Sequence, residues 1–172
     1  MIEIERTYLA RYIPEGLRNC DCSEVVDIYI PADSVHPKLR IRKNGRKHEI
    51  NKKQPVQGND ASHQMEQTIK ITEDEFNALS IIAGKKIHKV RYYYPYNGRT
   101  AEIDVFQGPL EGLVLVDFEF KTTEEKDNFV MPDFCMADVT QEEFIAGGML
   151  CGKSYEEISD SLKKFNYSKL SI

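Results

Sequence analysis

Five stretches of the chain alternate strictly between apolar and charged residues. At 2–5, 39–42, 89–91, 102–104 and 116–120 the charged side chains recur at every second position, the period that puts residues i and i+2 on one face of a strand. Two hairpins join such stretches. Asn44-Gly45 separates 39–42 from 48–51, and Asn97-Gly98 separates 91–94 from 101–104; Asn-Gly favours the tight turn because both residues tolerate positive φ. Helix starts carry capping boxes, a Ser or Thr followed three residues later by Glu. Thr72 with Glu75 precedes Phe76, Leu79 and Ile82 at helical spacing, a run expected to stop at Gly84. Similar boxes stand at Thr122 with Glu125, Thr140 with Glu143, and Ser154 with Glu157, the last leading into Ile158, Leu162 and Phe165. Residues 54–62, with Pro55, Gly58, Asn59 and Asp60, read as loop, as do Gln107-Gly108-Pro109 and Gly112. Strands in succession with few helices between them predict a largely antiparallel sheet in an α+β chain. Closure into a β-barrel removes its exposed edges.

Length and composition narrow the classes. A chain of 172 residues is expected to form one domain over 1–172. With 41% hydrophobic and 30% charged residues it is neither disordered nor membrane-like, and no apolar run approaches the roughly 20 residues that cross a bilayer. The net charge of −5 argues against general nucleic-acid binding. The start at 1–6 is charged from Glu3 onward and lacks a secretory pattern, so a cytoplasmic address is expected. Cys20 and Cys22 have no second Cys/His pair at zinc spacing and are taken as loop thiols.

The charge pattern changes the picture most. Glu3 with Glu5, Arg40 with Arg42, Lys89 with Arg91, Glu102 with Asp104, and Asp117 with Glu119 each form a pair of one sign on one strand face. Solvated faces usually mix signs. If the apolar faces pack outward on the capped helices, the charged faces converge inside a barrel. Two like charges about 6 Å apart at an effective dielectric near 20 repel by roughly 3 kcal/mol, so grouped carboxylates call for a counter-ion. Oxygen-only ligands favour Mg²⁺ or Mn²⁺ over zinc. The paired cations suit phosphate oxygens. Such an interior is built for a small molecule carrying several negative charges together with metal.

Residues 3–9 (Glu-Ile-Glu-Arg-Thr-Tyr-Leu) look like a Glu-x-Glu-x-Lys signature, and 39–42 like an Arg-x-Arg strand; 89–92, 102–106 and 115–120 follow in order. On these motifs the chain resembles the CYTH superfamily, or triphosphate tunnel metalloenzymes, over nearly its whole length. The resemblance implies an eight-stranded antiparallel β-barrel forming a tunnel, with hydrolysis of inorganic triphosphate, of a small organic triphosphate or of RNA 5′-triphosphate ends, or cyclisation of ATP. It implies metal held by Glu3, Glu5, Asp117 and Glu119, and phosphate gripped by Arg40, Arg42, Lys53, Lys89 and Arg91. Glu66, Glu102 and Asp104 would complete an acidic wall; Glu5, Glu66 or Asp104 would orient the attacking water. The chain departs from the signature at Thr7, which stands in the lysine position, and Arg6 faces the other way.

A metal-dependent triphosphatase is therefore the leading expectation. A class IV type adenylate cyclase and a binding module without turnover are the alternatives. His36, His48, His63 and His88 are expected to be ordinary polar residues, and Tyr92, Tyr93, Tyr94 and Tyr96 to pack on the exterior. Residues 144–152, with Gly147-Gly148, are placed at one tunnel mouth. The C-terminal amphipathic helix is expected to pack on the domain, with a homodimer contact as the other use.

Overall fold

The computed structural model describes residues 1–172 and contains one nine-stranded sheet, all of whose pairings are antiparallel. The strands are β1 (Ile2–Ala10), β2 (Cys22–Ile30), β3 (Leu39–Asn44), β4 (Lys47–Pro55), β5 (His63–Ile71), β6 (Lys85–Tyr96), β7 (Arg99–Phe106), β8 (Val114–Phe120) and β9 (Cys135–Asp138). Their order is β5-β4-β3-β2-β6-β7-β8-β1-β9, and β1 also pairs with β5. Eight strands thus close a barrel. The closing seam is short: Ile2, Glu3 and Ile4 face Met65, Gln64 and His63. Beyond it the same edge of β1 is taken by β9 at residues 8–10.

The second hairpin turns at Asn97 (φ 47°) and Gly98 (φ 76°), the two positive φ values that a twist-matched two-residue turn requires. In the first, Asn44 pairs with Lys47 and remains in β3. The turn is therefore Gly45-Arg46, one residue later than the Asn-Gly pair suggests, with positive φ only at Gly45.

Four helices flank the barrel: α1 (Glu73–Leu79), α2 (Thr123–Asp127), α3 (Gly147–Leu150) and α4 (Tyr155–Lys163). Complete capping boxes start α1 at Thr72 and α4 at Ser154, while Thr122 caps α2 through its side chain alone. The helix at Thr72 stops sooner than the apolar spacing suggests, at Leu79, and leaves Ile82 outside. Gly84 serves a different end: a Cβ there would lie 2.5 Å from Ile28 Cγ2, so only glycine lets the approach to β6 pass over β2. No helix starts at Thr140, whose hydroxyl donates to Asp138 Oδ1 at 2.5 Å and accepts from the Thr7 amide at 3.0 Å. The nearest turn is a short 3₁₀ segment, Glu143–Ile145. Gln54 and Pro55 belong to β4, which shortens the expected loop.

The core is divided between the two sides of the barrel wall. Tyr8, Ile103, Val116 and Phe118 form an outer cluster with Leu17 and Phe134. Leu9, Phe106 and Leu115, at inward positions, close one end of the barrel together with Leu150, Ile158 and Leu162, and this second cluster docks α4 on the domain. Phe76 of α1 covers Ile28 and Ile41. Helices therefore cover only part of the apolar exterior, with loop residues covering the rest. Tyr94 and Tyr96 pack edge-on against Phe134 in the outer cluster, with Tyr92 against the same group. Tyr93 instead meets Ser23. No helix is long and apolar enough to cross a membrane.

Candidate active site

Strand parity sends the charged faces inward, and they meet in one cavity of about 560 Å³. All twelve residues expected at the site line it: Glu3, Glu5, Arg40, Arg42, Lys53, Glu66, Lys89, Arg91, Glu102, Asp104, Asp117 and Glu119. The strand order then sorts them by sign. Cations come from β4, β3 and β6, which with β2 form one continuous arc; carboxylates come from β7, β8, β1 and β5, which form the other.

On the cationic arc Arg42 donates through Nε and a terminal nitrogen to the two carboxylate oxygens of Asp27, both at 2.7 Å. Asp27 is 1% exposed. Burial opposes its ionisation, but Arg42 and Arg40 outweigh that and hold its carboxyl below the usual range. Arg40 donates to the Tyr29 hydroxyl at 3.2 Å and stands 3.6 Å from Glu66. Its Nε is buried without a partner. Lys89 pairs with Asp104, and Arg91 forks onto both oxygens of Asp104 at 2.7 Å while reaching Glu102. Burial pulls the Lys89 ammonium down in pKa, with Arg91 and Arg42 adding to the effect against Asp104.

The acidic arc is less well compensated. Lys53 reaches across to Glu3 and Glu5, 2.8 Å from each. Burial nevertheless pushes the Glu5 carboxyl up, against Lys53 and with help from Asp117 and Glu3. Glu102 is raised by burial against the pull of Arg91. Glu119 is raised by burial and then by Glu102, Glu3 and Glu5, and it makes no ion pair. Thr7 occupies the position of the signature lysine, and its hydroxyl donates to Asp117 at 2.6 Å. Arg6 points outward to Asp138, 3.4 Å away, as alternation requires.

This donor set suits a hard divalent cation in its chemistry: carboxylate oxygens only, one of them unpaired, all disfavouring one another's charge. No three acidic, His or Cys side chains form a finished metal cage, and Lys53 stands among the carboxylates instead.

No family model matches the chain. The inorganic triphosphatase of Nitrosomonas europaea is 28% identical over 144 residues, covering 83% of this chain and 92% of that protein. The crystal structure of an inorganic triphosphatase aligns with a TM-score of 0.63 at 24% identity, over 87% of this chain and 93% of that one. A candidate adenylate cyclase from Bacillus halodurans shares the fold at 18% identity and a TM-score of 0.52, over 99% and 92% of the two chains. The resemblance to the CYTH superfamily is borne out.

Several residues of this CYTH-like cavity are not signalled by paired charges. Asp27 and Tyr29 lie on β2 at inward positions; the alternation there is with Val25, so no single-sign pair marks them. Asn51 does not line the cavity but supports it: fully buried, it donates to Glu66 at 3.1 Å. At the loop end of the barrel, residues 140–143, 145–148 and Leu150 line the cavity with His36, Pro37 and Lys38. Of the segment 144–152 expected at a mouth, residues 145–148 and Leu150 are the ones that reach it. The glycines explain the close fit: a Cβ on Gly147 would lie 2.1 Å from the Tyr29 hydroxyl, and one on Gly148 would lie 2.3 Å from the Pro37 carbonyl. His36 thus belongs to the cavity rim, whereas His48 packs on Phe76 and His88 pairs with Glu24 outside.

Proposed function

We propose that the protein is a hydrolase of triphosphates, acting on inorganic triphosphate or a small organic triphosphate with Mg²⁺ or Mn²⁺ in the cytoplasm. One observation carries the reading: a single cavity in which the expected cations lie along one arc and the expected carboxylates along the other. Cations and carboxylates facing each other across one space are complementary to a polyphosphate that brings metal with it. The named relative, an inorganic triphosphatase at 28% identity, supports the same reaction.

The roles follow from position. Arg40, Arg42, Lys53, Lys89 and Arg91 bind phosphate oxygens and stabilise charge on the leaving phosphate. Glu3, Glu5, Asp117 and Glu119 would hold metal. A metal held by these four carboxylates would supply Lewis-acid stabilisation of phosphate charge and a more acidic water. Among Glu5, Glu66 and Asp104, the last is held ionised by Arg91 and Lys89 against the cost of burial and is the weakest base. It serves better to fix its two cations, with Glu102 beside it on Arg91. Glu5, beside Glu3 and Asp117 in the expected metal set, would orient the attacking water. Glu66, fixed by Asn51 and by Thr68 at 2.7 Å, holds Arg40 in line.

The neutral Thr7 at the signature's lysine position favours one second reading, binding of polyphosphate without turnover. Phosphate release from tripolyphosphate with Mg²⁺, Mn²⁺ or chelator decides between them. Metal-dependent release supports the hydrolase; calorimetric binding with no release over hours supports the module; no binding at all removes both. Cyclic AMP formed from ATP would move the chain to the cyclases.

A further inference from the structure

Six cations line the cavity, and five of them touch carboxylates: Arg40, Arg42, Lys53, Lys89 and Arg91. Lys38 is the exception. It lines the cavity, yet no carboxylate oxygen lies within 4.0 Å of its ammonium. That group donates to His36 Nε2 at 2.8 Å, and His36 Nδ1 faces Glu143 at 3.2 Å. The ammonium also lies 3.2 Å from His36 Nδ1, so it meets both ring nitrogens of one imidazole. A neutral ring, not a carboxylate, is thus the partner of the Lys38 charge.

Lys38 also continues a ladder. It directly precedes β3, and its carbonyl accepts from the Lys53 amide at 3.4 Å, so strand geometry reaches it. It therefore shares parity with Arg40 and Arg42. From the rim inward the three run from exposed Lys38 to side chains 13% and 10% exposed. At ~3.3 Å per residue the ladder spans about 13 Å. The step between neighbouring phosphorus atoms, two P–O bonds at an angle, is somewhat shorter than one strand residue, so the three phosphorus atoms of triphosphate span less than about half of that length.

We propose that Lys38 forms a further anion subsite at the cavity mouth, and that it extends the substrate class to linear polyphosphates of four or more phosphates. This deepens the triphosphatase reading and rests on it. An organic end group is a poorer occupant of the rim, because the aromatic groups of the cavity are already engaged. Tyr29 is held by Arg40, the Phe106 ring faces Lys89 at 5.5 Å, and His36 bridges Lys38 to Glu143.

The test compares tripolyphosphate with tetrapolyphosphate, each with Mg²⁺, in wild type and Lys38→Gln. Lys38→Gln is expected to lower kcat/KM for tetrapolyphosphate about tenfold, the worth of one charge-assisted contact at a partly exposed site. The loss for tripolyphosphate is smaller, so the ratio of the two substrates falls. An unchanged ratio overturns the subsite. Should wild type cleave neither substrate, the triphosphatase reading fails on its own. The same ratio is then read from calorimetric affinities, where equal losses for both ligands overturn the subsite as well.

Discussion

Asp27→Asn tests the electrostatic logic of the cationic arc most directly. Asp27 is buried and takes both hydrogen bonds of the Arg42 fork, with Arg40 at 4.0 Å. Removing one partner of a buried ion pair costs about 3–5 kcal/mol, because the remaining charge is left without compensation. Asparagine keeps one oxygen acceptor, so the lower end, about 3 kcal/mol, applies. At ~2–4 °C per kcal/mol for a chain of this length, Tm falls by roughly 6–12 °C. Tripolyphosphate supplies the missing negative charge, so its stabilising shift should be larger in the variant than in wild type. Acid adds a second reading. The Asp27 carboxyl lies below its ordinary value of 3.8. Its stabilisation is complete above that value and is lost as pH falls through the lower folded one. Asp27→Asn should therefore flatten the acid limb of Tm against pH. Differential scanning fluorimetry with and without tripolyphosphate checks all three. A Tm loss below about 2 °C, under the ~1 kcal/mol equivalent, or an equal ligand shift in both proteins, would refute the assignment of Asp27 as the counter-charge of the arc.

Three further outcomes follow from the same geometry. Glu119→Gln should abolish phosphate release while leaving circular dichroism unchanged, since Glu119 makes no ion pair; undiminished release removes it from the metal set. Thr7→Lys puts a cation beside Asp117 and should raise release from tripolyphosphate severalfold, whereas a folded variant with no gain shows that this position does not limit the rate. Gly147→Ala drives a methyl into the Tyr29 hydroxyl, an overpacking worth about 1–3 kcal/mol. A Tm equal to that of wild type would mean that residues 147–148 do not press on Tyr29 in solution.

The barrel and its two arcs were legible because single-sign pairs at period two report both strand and face at once. Glu3 with Glu5 and Asp117 with Glu119 needed no further information. Asp27 was not legible, since it stands alone between Val25 and Tyr29 and acts through a neighbour, Arg42, that pairing alone brings opposite it in β3. Lys38 follows Pro37 in a loop by composition, and only its hydrogen bond with Lys53 shows that the pairing with β4 extends one residue before β3. Thr140 has the local sequence of a helix cap, but its hydroxyl is taken by Asp138 and by the Thr7 amide. Tertiary partners won over local propensity at that point. Gly84 looked like a helix stop and is instead a point of close passage over Ile28.

For the proposed triphosphatase, the ion pairs bear on the order in which anion and metal would bind. The two arcs meet at two boundaries. At β6 and β7, Arg91 and Lys89 hold Asp104 and Glu102; at the closing seam of β4, β5 and β1, Lys53 holds Glu3 and Glu5. On the proposed reading, the Lys53 pairs join a group that phosphate would occupy to two that metal would, while the Arg91 and Lys89 pairs hold phosphate-binding cations in place. A bare anion reaching Lys53 would leave Glu3 and Glu5 without a cation, and bare metal reaching Glu5 would leave Lys53 without an anion; either exchange strands a buried charge. Anion and metal arriving together replace every broken pair with two new ones. On the proposed reading, the internal salt bridges would bias the cavity towards the metal-bound polyphosphate over either component alone, a selectivity set by the strand order that placed the two arcs side by side.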